Sequence, residues 1–309
     1  LTLQTWYPTL TPASDVPIEA LEAEPIQAQY AGLLAAAPAC PRRTARVALD
    51  APIAAGAFPV VAFSHCHNCS RLSNAATAER LASHGFVVLA VDHDGNTLWE
   101  HLAGEPDANL DTAFLEVRAG DIRFALDQLP SLPIAGSLDL ESIGMFGHSF
   151  GAVTTGRVAQ LDPRIRAAAA LAAPMENPLI AGVQLSALTQ PLLFLVAQED
   201  NSITELGNIF IRNNFRDAPG TAWKIEVADA GHWSVSDFAG LVDLFAPGCG
   251  DDTRQTDDLP FTYLDPEIGR AITAAYVTAF FRATLEDDPG ARAYLGQQFP
   301  DGIVDVEHH

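Results

Sequence analysis

The sequence predicts an α/β fold with a mostly parallel central sheet and helices on both of its faces. Short apolar runs, such as residues 58–63 and 86–91, have the continuous hydrophobicity of strands buried on both faces. Segments with helical spacing, such as residues 111–129, separate these runs, and this alternation is typical of βαβ units. The chain has 309 residues, of which 48% are hydrophobic, so it is long enough to form one domain with a large core.

The individual elements follow in chain order. Residues 1–45 are expected to contain one strand, at 1–7, and then an irregular segment rich in Pro and Ala. Further strands are predicted at residues 46–49, 58–63, 86–91, 143–146, 165–171, 191–196 and 222–227. Helices are predicted at residues 77–83, 111–129, 202–214 and 265–285, and a helix of small residues follows residue 150.

Two further interpretations concern the surface and the end of the chain. The charged residues of the 111–129 helix are expected to form a solvated face joined by salt bridges: Glu116, Arg118, Asp121 and Arg123. Residues 307–309 are interpreted as the remnant of an expression tag, and residues 1–309 as one domain.

Charge and composition exclude some classes of partner. The formal net charge of −22 argues against binding to nucleic acids or anionic membranes. No apolar run is long enough to cross a bilayer, so no integral membrane segment is expected. The chain starts at Leu1 rather than Met, and it has an even number of cysteines. Both features favour a secreted or periplasmic protein, although the four cysteines allow three pairings.

The segment Gly147-His148-Ser149-Phe150-Gly151 is the strongest functional signal. It follows an apolar strand and precedes a helix, which is the context of a Gly-x-Ser-x-Gly nucleophile elbow. The two glycines remove the Cβ atoms that would collide with the neighbouring strand and helix. The start of the helix directs its free N–H groups towards a developing oxyanion. The sequence therefore predicts Ser149 as a catalytic nucleophile.

A serine nucleophile needs a base and an acid that orients the base, and on such a sheet they follow in the order Ser, Asp/Glu, His. His232 is the candidate base, because it lies in a loop after the last predicted strand. Of the histidines that follow Ser149, it is the one outside residues 308–309. Asp200 is the preferred acid, since it lies where the chain turns after the strand at 191–196. Glu176 and Glu199 are the alternatives.

The loop at residues 64–69, after the strand at 58–63, is expected to supply one amide of an oxyanion hole, and Phe150 the other. Two histidines and two cysteines in this loop also permit a metal site. No second group of ligands with suitable spacing accompanies them, so no metal is expected. We predict instead that Cys66 or Cys69 forms a disulfide that stiffens the loop.

Several motifs together resemble one family. They are Phe63-Ser64-His65, Leu81-Ala82-Ser83-His84-Gly85-Phe86-Val87-Val88, Val91-Asp92-His93, the elbow, and the Gly-His-Trp-Ser-x-Ser-Asp-Phe segment at 231–238. The sequence is similar to the platelet-activating-factor acetylhydrolase-like and dienelactone-hydrolase-like serine esterases, which include bacterial lipases and polyester hydrolases. The resemblance covers residues 46–285. It implies an α/β-hydrolase fold and a Ser-His-Asp carboxylester hydrolase without cofactor.

The resemblance also bears on single residues. The family usually has glycine where Cys66 stands, so this loop departs from the family pattern, and His67 is kept as the expected donor of the second oxyanion amide. In the mammalian acetylhydrolases the acid follows an earlier strand, and the matching position here, near residues 172–173, has no carboxylate. This difference favours Asp200. Trp233 and Trp99 are candidates to line the substrate pocket, with core packing as the alternative.

The leading hypothesis is a serine esterase that acts on short- to medium-acyl esters, including lipid or polyester substrates, through an acyl-enzyme. A thioesterase or amidase with the same triad, or a binding protein on this fold that has lost catalysis, are the alternatives.

Overall fold

The computed structural model describes residues 1–36, 40, 44–241, 248–298 and 302–309. The strands in this part of the chain are β1 (Leu3–Trp6), β2 (Ser14–Pro17), β3 (Thr44–Val47), β4 (Phe58–Ser64), β5 (Val87–Val91), β6 (Leu138–His148), β7 (Ile165–Leu171), β8 (Leu192–Ala197), β9 (Ala222–Val227), β10 (Asp251–Thr253), β11 (Pro260–Thr262) and β12 (Val304–His308). The helices are α1 (Ile26–Ala36), α2 (Ala75–Ser83), α3 (Leu98–Leu102), α4 (Thr112–Gln128), α5 (Phe150–Leu161), α6 (Thr204–Asp217), α7 (Pro266–Leu285) and α8 (Pro289–Leu295).

The central sheet has the strand order β1-β5-β4-β6-β7-β8-β9-β12 among the described residues. The six inner strands pair in parallel, whereas β1 and β12 pair antiparallel with β5 and β9 at the two edges. Two small antiparallel pairs, β2 with β3 and β10 with β11, lie outside this sheet. Because the inner strands are parallel, the loops that follow β4, β6, β8 and β9 emerge at one edge of the sheet.

The sheet is buried on both faces, and successive residues of a strand contribute to opposite cores. In β4, Val61 and Phe63 pack into the core on one face with α2 and α7. Val60 and Ala62 pack into the core on the other face with α4, α5 and α6. The prediction of a mostly parallel sheet with helices on both faces is therefore confirmed. None of the described helices is both long and apolar enough for a bilayer crossing.

The N-terminal segment differs from the expectation for residues 1–45. Beyond β1 it forms β2, a 3₁₀ turn at Ile18–Leu21, and α1. Of the residues in α1, only Tyr30 and Leu34 are buried. A stripe of two residues is too weak to identify a helix from its periodicity, which explains why it was missed. Residues 37–39 and 41–43 of this segment lie outside the described residues.

Residues 307–309, interpreted above as the remnant of an expression tag, take part in the pairing at one edge of the sheet. Glu307 and His308 belong to the edge strand β12 and pair with Lys224 and Trp223 of β9. The main chain of His309 continues this pairing through two hydrogen bonds with Ala222. Val304 and Val306 of β12 are buried and Asp305 between them is exposed, an alternation of three residues that is too short to predict a strand.

Candidate active site

Ser149 lies at the junction of β6 and α5, at the carboxyl edge of the sheet. Its backbone has φ 57° and ψ −124°, a strained conformation for a residue with a side chain. The Ser149 amide donates a hydrogen bond to the Leu171 carbonyl at 2.9 Å, which ties the turn to β7. Ser149 is half-buried, while the residues on either side of it in the chain are buried. The turn therefore lifts this hydroxyl out of the sheet.

The two elbow glycines are required by close packing. A Cβ atom on Gly147 would lie 2.0 Å from the Gly151 carbonyl oxygen. A Cβ atom on Gly151 would lie 2.0 Å from the carbonyl oxygen of Ser64 and 2.8 Å from that of His65. The first turn of α5 is thus in direct contact with the backbone at the end of β4. The loop of residues 64–69, called the oxyanion loop below, begins at this point.

The loops after β8 and β9 bring Asp200 and His232 together. The Asp200 Oδ2 atom is 2.6 Å from His232 Nδ1, and both side chains are almost completely buried. The Oδ1 atom of Asp200 accepts hydrogen bonds from the amides of Ser202 at 2.9 Å and Ile203 at 3.0 Å. With Asp200 ionised, the proton of the neutral imidazole lies on Nδ1. Nε2 is then unprotonated, the form that a general base requires.

The two alternative acids have other partners. Glu176 Oε2 accepts a hydrogen bond from the Leu185 amide at 2.7 Å. Glu199 Oε1 forms an ion pair with Arg254 Nη1 at 2.8 Å. Neither carboxylate is paired with the His232 ring, so the geometry of the described residues supports Asp200.

Arg254 also joins two loops: the loop after β8 that carries Asp200, called the acid loop below, and the loop after β9 that carries His232, called the base loop. It follows β10, and its other nitrogen, Nη2, pairs with Asp229 in the loop that carries His232. The next residue, Gln255, donates a side-chain hydrogen bond to the Gln198 carbonyl at 3.1 Å. The hairpin of β10 and β11 therefore holds the two loops at a fixed separation.

His148, the residue before Ser149, contacts the base loop from the elbow side. Its Nε2 donates a hydrogen bond to the His232 carbonyl at 3.0 Å, and the two rings are 4.9 Å apart. Burial lowers the pKa of His148 well below its usual range, with a smaller contribution from His232, so the ring is neutral. Trp233 packs edge-on against the His232 ring at 4.8 Å and is 5% exposed.

The segment that follows His232 is joined to the start of α2. Ser236 donates its hydroxyl hydrogen bond to the Ser73 carbonyl at 2.8 Å, and Asp237 accepts a hydrogen bond from the Ala76 amide at 2.9 Å. The Asn74 side chain donates to the Val235 carbonyl at 2.7 Å. Through these bonds the Ser-x-Ser-Asp motif at 234–237 fixes the base loop to the start of α2.

The loop after β4 is closed by a disulfide between Cys66 and Cys69, whose Cα atoms are 5.2 Å apart. The second disulfide joins Cys40 to Cys249. The two sulfurs of the alternative metal site are thus bonded to each other. Among the described residues, no group of His, Cys, Asp and Glu side chains is arranged as a metal site.

The remaining candidates are divided between the site and the core. His67 lies half-buried in the disulfide loop, and Phe150 begins α5 directly after Ser149. Their assignment as oxyanion donors stays a prediction. Trp99 is 7% exposed and packs against Tyr30 with ring centroids 5.3 Å apart, so its contacts are those of a core residue.

Sequence reasoning missed a buried polar network behind the oxyanion loop. Arg118, expected on a solvated helix face, is 0% exposed, and it donates hydrogen bonds to Ser64 and Asn96. His93 bridges Ser64 and Asp121, at 2.9 Å from each. The motif Val91-Asp92-His93, which contributes His93 to this network, carries part of the family resemblance but no predicted role of its own. Its physical signal is the charged Asp92 and the polar His93 directly after a buried strand.

Known proteins resemble this chain over much of its length. A family profile described as PET hydrolase-like matches residues 51–237. Platelet-activating factor acetylhydrolase of Canis lupus familiaris is 28% identical in a match that covers 45% of this chain and 39% of that protein. Cutinase est1 of Thermobifida alba is 32% identical over 114 residues, 36% of this chain and 33% of that protein. The matched segments thus span less than half of each of these two relatives.

The fold is also shared with a solved structure. A ferulic acid esterase from Streptomyces cinnamoneus superimposes with a TM-score of 0.69 at 24% sequence identity, and the match covers 99% of this chain and 88% of that chain. At this identity the likeness concerns the fold. Together with the sequence matches it confirms the α/β-hydrolase fold and the resemblance that the motifs indicated.

Proposed function

Because the chain belongs to the PET hydrolase-like family, we propose that it is a serine carboxylester hydrolase in which Ser149, His232 and Asp200 form the catalytic triad. The observation that carries the proposal is the 2.6 Å contact between Asp200 Oδ2 and His232 Nδ1, at the same sheet edge as a serine in a strained elbow. A buried carboxylate bonded to a loop histidine, at the sheet edge that carries such a serine, is the arrangement that acyl transfer uses.

The reaction proceeds by acyl transfer to the enzyme. His232 Nε2 takes the proton of the Ser149 hydroxyl while the oxygen attacks the ester carbonyl. Asp200 holds the Nδ1 proton and stabilises the imidazolium. The amides of Phe150 and His67 receive the oxyanion. Collapse of the tetrahedral intermediate expels the alcohol, which takes its proton from His232.

Hydrolysis of the acyl-enzyme repeats the same steps with water. The oxygen of a water molecule attacks the acyl carbonyl while His232 takes a proton from that water. His232 then returns the proton to the Ser149 oxygen as the carboxylic acid leaves. No step needs a cofactor. Burial of Asp200 and His232 strengthens their interaction, because little water screens the two charges of the imidazolium intermediate.

The substrate class follows from the relatives and from the site. The relatives are described as a PET hydrolase-like family, a cutinase, an acetylhydrolase and a ferulic acid esterase. These descriptions support short- to medium-acyl esters, including lipid or polyester substrates. Trp233 packs against the His232 ring and is 5% exposed, so only a small part of it is available to the acyl or alcohol group. The two disulfides support export to an oxidising compartment.

The test combines labelling with turnover. A fluorophosphonate should add one label, on the peptide that contains Ser149, and p-nitrophenyl esters from acetyl to decanoyl should be hydrolysed. Ser149→Ala should lower kcat by several orders of magnitude, on the order of 10⁶-fold. The matched control is Ser83→Ala, because Ser83 is an exposed serine at the end of α2. Labelling at another residue, or an active Ser149→Ala variant, would contradict the proposal.

Substrate profiling separates the alternatives. Thioesters and anilides of the same acyl chains test the thioesterase and amidase reactions, and polyester film and phospholipid vesicles test the larger substrates. A protein that neither reacts with the phosphonate nor hydrolyses any of these would be a binding protein on this fold.

A further inference from the structure

Arg118 is a charged residue in the middle of the protein core. It lies on α4 and is 0% exposed. Burial lowers its pKa to about 9, against the opposing effect of Asp121, so the guanidinium remains charged at neutral pH. Apolar residues commonly fill such a site at no loss of stability, because a buried charge must be desolvated. Packing therefore does not explain the charge.

The guanidinium is bonded to the backbone and side chain at the start of the oxyanion loop. Its Nη2 donates to the Ser64 hydroxyl at 3.0 Å and also to the His65 carbonyl. These are the residues whose carbonyls abut the Gly151 position in the first turn of α5. One cation thus holds the point at which the loop leaves β4.

Asn96 extends this contact to the rest of the loop. Arg118 Nη1 donates to Asn96 Oδ1 at 2.6 Å. The Asn96 side-chain nitrogen lies 2.8 Å from His67 Nδ1 and 2.9 Å from Asn68 Oδ1, and it can donate one hydrogen bond to each. Through this one amide, Arg118 reaches the residue assigned as the second oxyanion donor.

Arg118 also contacts the other side of the oxyanion hole. Its guanidinium carbon lies 4.9 Å from the centre of the Phe150 ring, a cation–π distance. Phe150 is the residue whose amide is assigned as the first donor. The same side chain is therefore bonded to the oxyanion loop and in contact with the start of α5.

Asp121 supplies the counter-charge through a chain of hydrogen bonds. An arginine can only donate, so Ser64 accepts from Arg118 and is free to donate its own proton to His93 Nε2. His93 then carries its proton on Nδ1 and donates it to Asp121 Oδ2 at 2.9 Å. Asp121 is partly exposed, with 25% of its side chain accessible. The chain runs from the surface to the back of the oxyanion loop.

We propose that Arg118 is a positioning residue of the oxyanion hole, which holds the loop after β4 and the first turn of α5 in register so that their amides face the oxyanion. This inference rests on the proposed function, because it concerns the same site. Arg118 acts through the main chain of the loop and through the Phe150 ring, and its positive charge favours a negative charge nearby.

The test compares Arg118→Met with Arg123→Met. Arg123 lies on the same helix, but half of its side chain is exposed and it is 3.7 Å from Asp162, away from the oxyanion loop. In Arg118→Met we expect kcat for p-nitrophenyl butyrate to fall on the order of 10²-fold, the loss typical of one oxyanion donor. KM should stay within about threefold, since ground-state binding does not use the oxyanion hole. The affinity for a boronic acid, which mimics the tetrahedral intermediate, should fall in parallel with kcat.

Two further variants keep the test decisive. Arg118→Lys retains the charge and one of the contacts, so it should recover about tenfold of the lost kcat. If Arg118→Met does not fold, Asn96→Ala decides, because it cuts only the link to the far part of the loop. It should lower kcat about tenfold and weaken boronic acid binding equally.

The outcomes separate this inference from the proposed function. A folded Arg118→Met with kcat within about threefold of wild type overturns the inference. So does a loss of kcat in which boronic acid affinity is unchanged. A wild-type protein without esterase activity dependent on Ser149 instead contradicts the proposed function itself.

Discussion

Replacement of Asp200 by asparagine tests the triad most sharply, because the structure fixes how the new amide would lie. The Asp200 Oδ1 atom accepts two backbone hydrogen bonds, from Ser202 and Ile203. In Asp200→Asn the amide oxygen must take that place, since an NH₂ group there would face two donors. The NH₂ group would then point at His232 Nδ1, where the carboxylate oxygen lies 2.6 Å away in the native protein.

The magnitude follows from the tautomer. An NH₂ group facing Nδ1 forces that nitrogen to accept, so the imidazole proton moves to Nε2, where a general base needs a lone pair. The loss of kcat expected for this change is about 10⁴-fold. It corresponds to about 5.4 kcal/mol in the barrier. Stability should change little, because the variant keeps the two backbone hydrogen bonds and introduces no change in volume.

The assay is hydrolysis of p-nitrophenyl butyrate, with circular dichroism and thermal unfolding to verify the fold. Glu176→Gln is the matched control, since its amide oxygen can still accept from the Leu185 amide. The control should change kcat by less than about threefold. A nearly normal Asp200→Asn with an inactive Glu176→Gln would move the acid to the loop after β7 and refute the reasoning.

Two other predictions concern the disulfides and the elbow histidine. Replacing Cys66 and Cys69 by serine should lower kcat about tenfold, because the oxyanion loop loses its cross-link, while stability falls by only about 2 kcal/mol for so short a loop. Replacing Cys40 and Cys249, which are 209 residues apart, should instead lower stability by several kcal/mol, up to about 5 kcal/mol, and leave kcat nearly unchanged. Thermal unfolding and ester hydrolysis measure both pairs, and the opposite ranking would contradict the assignment of the loop. His148→Phe removes the donor to the base loop's carbonyl and should lower kcat about tenfold at constant KM. If KM rises instead at constant kcat, the residue shapes the pocket rather than holding the base.

The parts of the fold and site that sequence could predict are those with a local pattern. The buried strands are continuous apolar runs, and the elbow needs glycine at two fixed positions, so both can be recognised within ten residues. The order Ser, Asp, His then leads to Ser149, Asp200 and His232, an assignment that stays a prediction. By contrast α1 has only two buried residues and β12 alternates only from Val304 to Val306, so each pattern is too short to identify its element.

Arg118 illustrates a different limit. Its charge predicts a solvated face shared with Glu116, and Glu116 does pair on the surface, at 2.7 Å from Arg157. Arg118 is two positions further along the helix and points into the protein. The spacing of the buried residues does distinguish the two, because Arg118 lies three residues after Leu115 and four before Ile122, whereas Glu116 lies off this stripe. What the sequence does not show is which distant residues accept hydrogen bonds from a buried charge, here Ser64 and Asn96.

The two buried charges of the site have the signs that the proposed reaction needs. Proton transfer makes His232 positive, and Asp200 lies against it at 2.6 Å. The same step makes the carbonyl oxygen negative, and Arg118 lies behind the loop and the helix turn that would receive it. Neither charge has to move or to reorganise water as the reaction proceeds, so their field is already present when the transition state forms. Removing either one leaves the other in place. The losses of kcat in Asp200→Asn and Arg118→Met should therefore multiply in the double variant if the two act on separate charges. A double variant no slower than Asp200→Asn alone would show that Arg118 does not act on the oxyanion.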